Sequence, residues 1–477
     1  MRALCELDAV EARRLIGSKE IAPTELLESC IERIESINCA VNAIVTSDYK
    51  DARKRAKVAE KAVLNGEELG ILHGIPVCIK DLELTSGLRT TMGSLLYKDY
   101  IPKYDQGSVH NIRSEGGIIL GKTNTPEFGA GANTKNRVFG VTKNPFNTQL
   151  SCAGSSGGSA VSLACGMVPL ATGSDFGGSL RTPAGFCGVV GFRPSPGVVP
   201  SELEPVSLSP LSVNGPMGRT VADTALLLSA QTGFDIRDPF SNSISFEAMS
   251  PLVPADLGSI KIAISSDLGC APVETEIART FKEKIKKFSK VFASAENIDP
   301  DLGEVHQAFE ILRAVNYLAA HGERVKKNRA LLGPNVIDNV NRGLSYSIED
   351  VAWAHKEQTK IYRNMLSFFD EVDILICPTA SVSPYPHEQL AVEQINGEKM
   401  PTYMRWLALS YGLTMTLPSV CSLPVGLDEK GMPFGMQIVG PNGSDHFVLQ
   451  VAFALESLLS SHSELKRPTP NLDDLKK

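Results

Sequence analysis

No two cysteines in this chain have the sequence spacing of a zinc-binding pair. Ten are scattered singly through the 477 residues (Cys5, Cys30, Cys39, Cys78, Cys152, Cys165, Cys187, Cys270, Cys377 and Cys421) with no CxxC or CxxxxC spacing, which argues against a structural zinc site. Most lie among apolar neighbours (VCIK, LACG, LICP) and read as small core hydrophobes, and a reducing cytoplasm is the expected home. The eight histidines show no HxH or HxxxH pair, so a histidine metal site is not expected either. Lys/Arg-rich blocks are missing and the net charge is −7, so binding of nucleic acid or an anionic membrane has no electrostatic support. The longest apolar run, 160-AVSLACGMVPLATG-173, is too short to cross a bilayer and is broken by glycine and proline. The opening stretch MRALCELDAVEARR turns acidic at once without an apolar h-region, so no signal peptide is expected.

What is present suits a large globular core: 43% hydrophobic residues, with 40 Gly and 29 Pro spread along the chain. The first 65 residues read as helical. Leu27, Cys30, Ile31 and Ile34 form one face of a helix over 24–37, residues 41–46 read as a strand, and 51–66 as a helix with glycine near its end. From about 70 to 200, short apolar strands (75–79, 117–121, 168–173, 187–192) alternate with Gly/Ser-rich turns, the texture of an α/β sheet whose loops approach a ligand. Residues 240–257 read as a loop boundary, 260–265 as a strand, 273–288 as an amphipathic helix and 303–370 as mostly helical. Strands at 372–378 and 418–426 and a hairpin-like end at 433–441 lead into a last helix over 445–459. No repeat or low-complexity tract appears, so 1–477 reads as one α/β unit.

Two motifs are decoys. Residues 116-GGIILGKT-123 match the phosphate-loop pattern, but strand material lies between the glycines, and Pro126 prevents a helix from starting at Lys122. Residues 154-GSSGG-158 place Ser156 in a GxSxG frame, yet a polar loop precedes it where a nucleophile elbow needs a strand. His446, the one tempting histidine partner, falls at the start of the last helix and reads as a surface residue.

The third pattern joins 74-GIPVCIKD-81, 152-CAGSSGGSA-160 and 173-GSDFGGSLRTPAG-185. Ser179 follows two glycines, and no histidine lies within sixty residues on either side. A serine hydroxyl is a poor nucleophile until a base takes its proton. Lysine serves if burial lowers its pKa from about 10.4 toward 7–8, and Lys80 ends an apolar strand, a position able to desolvate an ammonium. Gly177 and Gly178 let backbone N–H groups face inward to meet an oxyanion. Asp175 and Arg181 have the charges and spacing to pair across the turn.

At these residues the sequence resembles the amidase signature family: a lysine after a G-I-P strand, then GSSGGS, then GSDFGGSLRTPAGFCG, with TNTPEFG at 123–129 and PFGMQIVGP near the end. The resemblance runs from about residue 5 to 460 and is thinnest at 290–400. It implies a mixed central β-sheet covered on both faces by α-helices, with a catalytic core at about 70–200 and a more variable, mostly helical region at about 290–410. It implies a hydrolase of linear carboxylic amides acting through an acyl-enzyme on Ser179. Ser155, following a cis peptide from Gly154, is the implied bridge and Lys80 the base; the N–H groups of Phe176, Gly177, Gly178 and Ser179 form the oxyanion hole. Ser156, Asp175 and Arg181 support the loops. No cofactor is implied; the expected partner is a small-molecule amide, and a homodimer is left open.

The chain departs from the family pattern at Ala153-Gly154, Phe176, Phe192-Arg193 and Thr416-Leu417-Pro418. None removes a catalytic atom, though Phe176 bears on substrate size. Pocket walls are expected from 130–140 and 300–410. The rival within the family is the glutaminase component of a tRNA-dependent amidotransferase; it requires a partner and a polar clamp, and 411-YGLTMTLPSV-420 shows none. The rival from another class is a non-catalytic binding protein of the same fold, disfavoured by the presence of Lys80, Ser155 and Ser179 together.

Overall fold

Side chains on a strand point alternately to opposite faces, so a strand buried on both sides needs apolar residues at nearly every position. Segment 374–378 shows the result: Ile374 and Ile376 enter one apolar cluster while Leu375 and Cys377 enter another. In the computed structural model, which describes residues 3–241 and 252–476, this division runs through a single large sheet. Helices Pro23–Val41, Gly157–Ala164 and Val305–Asn328 contribute to one cluster, helices Thr275–Phe288 and Asp445–Ser460 to the other.

The large sheet has eleven strands. In chain order they are β1 (Ile44–Ser47), β2 (Pro76–Lys80), β3 (Ile118–Thr123), β4 (Leu170–Asp175), β5 (Val190–Arg193), β6 (Val213–Gly218), β7 (Lys261–Ile264), β8 (Ser294–Asn297), β9 (Ile374–Pro378), β10 (Ser419–Leu427) and β11 (Pro433–Gly440). Their spatial order is β1-β3-β2-β4-β6-β5-β10-β11-β9-β7-β8. The sheet is mixed. β3, β2 and β4 run parallel, as do β9, β7 and β8, and the remaining pairs are antiparallel. The parallel trio brings Lys80, Thr123 and Asp175 to the same edge, the carboxyl ends of neighbouring strands, where open α/β sheets bind ligands.

Most expected elements fall where the periodicity puts them, with shifts that have local causes. The first long helix continues to Val41, so the strand expected over 41–46 starts only at Ile44, after Asn42 takes a left-handed conformation (φ 53). The stretch 187–192 divides: a helix runs through Cys187, Gly188 caps it at φ 64, and β5 begins at Val190. Residues 303–370 form three helices, Val305–Asn328, Pro334–Ser345 and Ile348–Glu371. β6 has no signature in the sequence, because VNGPMG carries the residues that argue against a central strand. Tertiary pairing overrides that preference by setting β6 between β4 and β5. β8 has none either; it is short, polar and at the sheet edge. The loop boundary expected at 240–257 lies mostly outside the described residues.

The 116–123 decoy is a fully buried strand, β3, preceded by helix Gly107–Ser114. Lys122 hydrogen-bonds the Glu83 carbonyl and, at 2.8 Å, Thr85 Oγ1.

Helix Gly157–Ala164 approaches β3 closely because Gly158 has no side chain. A Cβ there would stand 2.3 Å from the Asn124 nitrogen and 2.7 Å from the Ala43 carbonyl oxygen. Backbone atoms cannot swing aside, so Gly158→Ala is expected to lower unfolding stability by about 1–3 kcal/mol. Chemical denaturation of the purified variant measures this.

Candidate active site

Lys80 is the last residue of β2 and is wholly buried. Its Nζ donates to Ser155 Oγ at 2.7 Å, Ser156 Oγ at 2.9 Å and Ser174 Oγ at 2.9 Å. No carboxylate forms an ion pair with it among the described residues. Desolvation lowers its pKa to about 7, opposed by the more distant charges of Glu83 and Asp175. Three hydroxyls thus replace the water an ammonium would otherwise hold.

Ser155 follows a cis Gly154–Ser155 peptide and is 2% exposed. Ala153, where the family pattern often has glycine, takes φ 58, a conformation glycine adopts more readily. Ser155, Ser174, Phe176, Gly177 and Ser179 all line one cavity of about 310 Å³. Along the 174–179 turn, Ser174, Phe176 and Ser179 are partly exposed while Asp175, Gly177 and Gly178 are buried. Ser156 stays behind, its N–H donating to the Ser179 carbonyl at 3.3 Å.

The turn is held from beneath by Asp175. Its Oδ1 accepts from Gly178 N at 3.0 Å and its Oδ2 from Leu180 N at 3.1 Å. Arg181 grips the same carboxylate through Nε (3.0 Å) and Nη2 (2.8 Å), the bidentate geometry that suits a guanidinium. The other donors of Arg181 go to the Ser410 carbonyl (2.9 Å), Gln437 Oε1 (3.0 Å) and Thr414 Oγ1 (2.9 Å), so every N–H of this buried cation has an acceptor. Arg193 adds a bond to the Asp175 carbonyl at 2.7 Å. Burial alone would raise the Asp175 pKa; the Arg181 and Arg193 guanidiniums outweigh it and hold the carboxyl well below its usual range. Gly178 sits at φ 114, and a Cβ on it would come 2.5 Å from Ser410 Cβ. Its glycine is therefore required twice.

All of the residues expected from sequence converge here: Lys80, Gly154, Ser155, Ser156, Asp175, Phe176, Gly177, Gly178, Ser179 and Arg181. The N–H of Gly178 is committed to Asp175, which sets it apart from the other three expected oxyanion donors, those of Phe176, Gly177 and Ser179. Four supporting residues carry no sequence signal of their role. Ser174 lies inside the glycine-rich motif, and Arg193 stands out only as a departure from the family pattern. Glu83, three residues after Lys80, is buried and bonded by Ser108 at 3.0 Å and by Thr172. Gln437 sits on β11, far away in sequence. His446 is exposed. The cavity wall takes Gly131 and Ala132 and residues between 313 and 407 from the expected segments, but also Leu203–Val206, Ser209 and Ser212, which no pattern marked.

A family model described as Amidase matches residues 25–449. The acylamidase of Rhodococcus erythropolis is 30% identical over 454 residues, covering 95% of each chain. A glutamyl-tRNA(Gln) amidotransferase component from Alkaliphilus metalliredigens is 31% identical over 497 residues, covering 96% of this chain and 98% of its own. Among solved structures, a bacterial aryl acylamidase belonging to the amidase signature enzymes superposes with a TM-score of 0.87 at 30% identity, over 94% of this chain and 96% of that one.

Asp175→Asn leaves two buried guanidiniums without their anion and is expected to cost about 3–5 kcal/mol of stability. The wild-type contribution is in full force above the unfolded-state carboxyl pKa of about 3.9 and is lost as pH falls toward the depressed folded-state value. Denaturation curves at pH 7 and across the acid range measure both effects.

Proposed function

Because the chain belongs to the amidase signature family, we propose that it hydrolyses carboxylic amides by acyl transfer to Ser179, with Ser155 and Lys80 as the proton path. The observation that carries the reading is the buried Lys80 Nζ, 2.7 Å from Ser155 Oγ and bonded to hydroxyls rather than to a carboxylate. With its pKa lowered to about 7, a large fraction of Lys80 is neutral at physiological pH, and its lone pair accepts the Ser155 proton as Ser155 accepts that of Ser179. Ser179 Oγ bonds to the amide carbon. The N–H groups of Phe176, Gly177 and Ser179 receive the developing oxyanion, while Gly178 N–H stays with Asp175 and fixes the turn that aims them. On collapse the C–N bond breaks and the relay returns the proton to the leaving nitrogen. Water then repeats the sequence on the acyl-enzyme. The whole chain acts as one catalytic unit, in a reducing cytoplasm that suits its ten free cysteines.

The amidotransferase reading draws support from relatives such as the Alkaliphilus protein. Against it, 411–416 is buried, and the Ser410 carbonyl and Thr414 hydroxyl accept from Arg181, so this stretch supplies scaffolding rather than a glutamine clamp.

Ser179→Ala is expected to fold normally and lose nearly all ammonia release; near-normal turnover would remove Ser179 from the nucleophile's role. Ser155→Ala should be severely impaired.

The kcat/KM profile of wild type should rise through a limb near pH 7, because the base must be unprotonated. Lys80→Arg should lack that limb and fall at least ~10²-fold, since guanidinium does not deprotonate. A Lys80→Arg enzyme with wild-type activity would make Lys80 a structural cation.

No group of three or more metal-ligating side chains stands together among the described residues. Turnover is therefore expected to survive strong chelators; loss on chelation, restored by a divalent metal, would contradict this mechanism.

A further inference from the structure

Three arginines near Ser179 are buried, and two of them, Arg181 and Arg193, are paired with Asp175. Arg181 satisfies every N–H. Arg313, on helix Val305–Asn328, is 4% exposed, lines the same cavity as Ser179, and has no carboxylate within 4.0 Å among the described residues. Its Nη2 donates to Tyr403 Oη at 3.1 Å and Tyr317 Oη at 3.3 Å. Its Nε is buried without an acceptor, and Nη1 makes no hydrogen bond with the described residues. The cation is packed among ring faces, with its guanidinium carbon 4.6 Å from the Tyr317 centroid, 5.3 Å from Phe176 and 6.0 Å from Tyr403.

Aromatic faces and two phenols offset part of the cost of desolvating a guanidinium, and they do not neutralise it. Arginine cannot escape by losing its proton. Two carboxylates line the cavity: Glu204 is engaged by Ser212 Oγ at 3.1 Å and Glu83 by Ser108 Oγ at 3.0 Å and by Thr172, and burial pushes both carboxyls upward. Arg324 also lines the cavity, and His321 beside it is held neutral, its pKa lowered to about 3 by burial and by Arg324. Neither carboxylate, Glu204 or Glu83, forms an ion pair with Arg313 among the described residues. The ring that Arg313 covers, Phe176, is three residues before Ser179 in the same turn, so the guanidinium stands close to the reacting centre.

Resting on the amidase reading above, we propose that Arg313 is a specificity-determining residue and that the substrates are amides bearing a carboxylate a short spacer from the scissile bond. The carboxylate occupies the free edge of Arg313, and the amide carbonyl lies against Ser179. Phe176, a departure from the family pattern, becomes the platform that holds the guanidinium flat.

The test measures binding apart from turnover. Calorimetry on Ser179→Ala protein compares succinamate, glutaramate and N-benzoylglycine with the neutral succinamide, glutaramide and N-benzoylglycinamide. At least one carboxylate is expected to bind about 10–100-fold more tightly than its neutral partner, the range of a charge-assisted contact. Arg313→Met on that background should abolish the preference. Arg313→Gln, which keeps a donor for the two tyrosines, should do the same and serves if Arg313→Met fails to fold. Equal binding within every pair, or a preference that survives loss of the guanidinium, overturns the proposal. Turnover by wild type is scored separately. If the carboxylates bind as expected and no amide is hydrolysed, the catalytic reading fails and the anion site stands. If neutral amides are hydrolysed without discrimination, the catalytic reading stands and this one fails.

Discussion

Asp175 and the two guanidiniums around it decide whether the turn that carries Ser179 has a fixed shape. The carboxylate closes the turn by taking Gly178 and Leu180 N–H, and Arg181 carries the same anchor to helix Ala408–Thr414 and to Gln437 on β11. Gln437 continues the network through its amide to the Pro378 and Leu409 carbonyls. One anion thereby ties β4, β9, β11 and a helix far along the chain to the segment that presents Ser179. Buried ion pairs are weak evidence for stability as such, because desolvation offsets the Coulomb gain. Their value here is geometric: the pair costs little only when all donors are met, and that condition admits one arrangement of the turn.

Lys80 and Lys122 show how the same chemistry is tuned on adjacent strands. Both end or nearly end a parallel strand, and both are fully buried. Desolvation lowers both, Lys80 to about 7 and Lys122 to about 8. The difference lies in what faces them. Lys122 has Asp81 and Glu83 near it and bonds the Glu83 carbonyl and the buried Thr85 hydroxyl, whereas Lys80 meets three serine hydroxyls, of which those of Ser155 and Ser174 belong to residues lining the cavity. A hydroxyl at the cavity can pass a proton to a bound molecule, and a backbone carbonyl or a hydroxyl away from the cavity cannot. Lys122 therefore belongs to the buried frame beside Lys80.

Local pattern was enough to find Lys80, Ser155, Ser179 and the Asp175–Arg181 pair, because their requirements are local. A glycine-rich turn, a positive φ and a six-residue spacing between opposite charges are all written in neighbouring residues. The same holds for the long amphipathic helices and for strands buried on both faces, whose periodicity needs no partner to be read. β6 was invisible because Pro216 and its glycines contradict strand formation until β4 and β5 close around them. Arg193, Gln437 and the 203–212 cavity wall were invisible because each acts on residues that only folding brings near.

The sequence by itself therefore determined the family and the local geometry: which lysine ends the buried strand, and which carboxylate steadies the turn that carries Ser179. Tertiary structure alone decided how far Lys80 is desolvated, which backbone N–H groups of the turn are already spent, and that Arg313, one basic residue among 47 Lys and Arg, stands beside the Ser179 turn with no ion pair among the described residues. Burial and counter-charge are sums over everything that surrounds a group, and no stretch of neighbouring residues contains that sum.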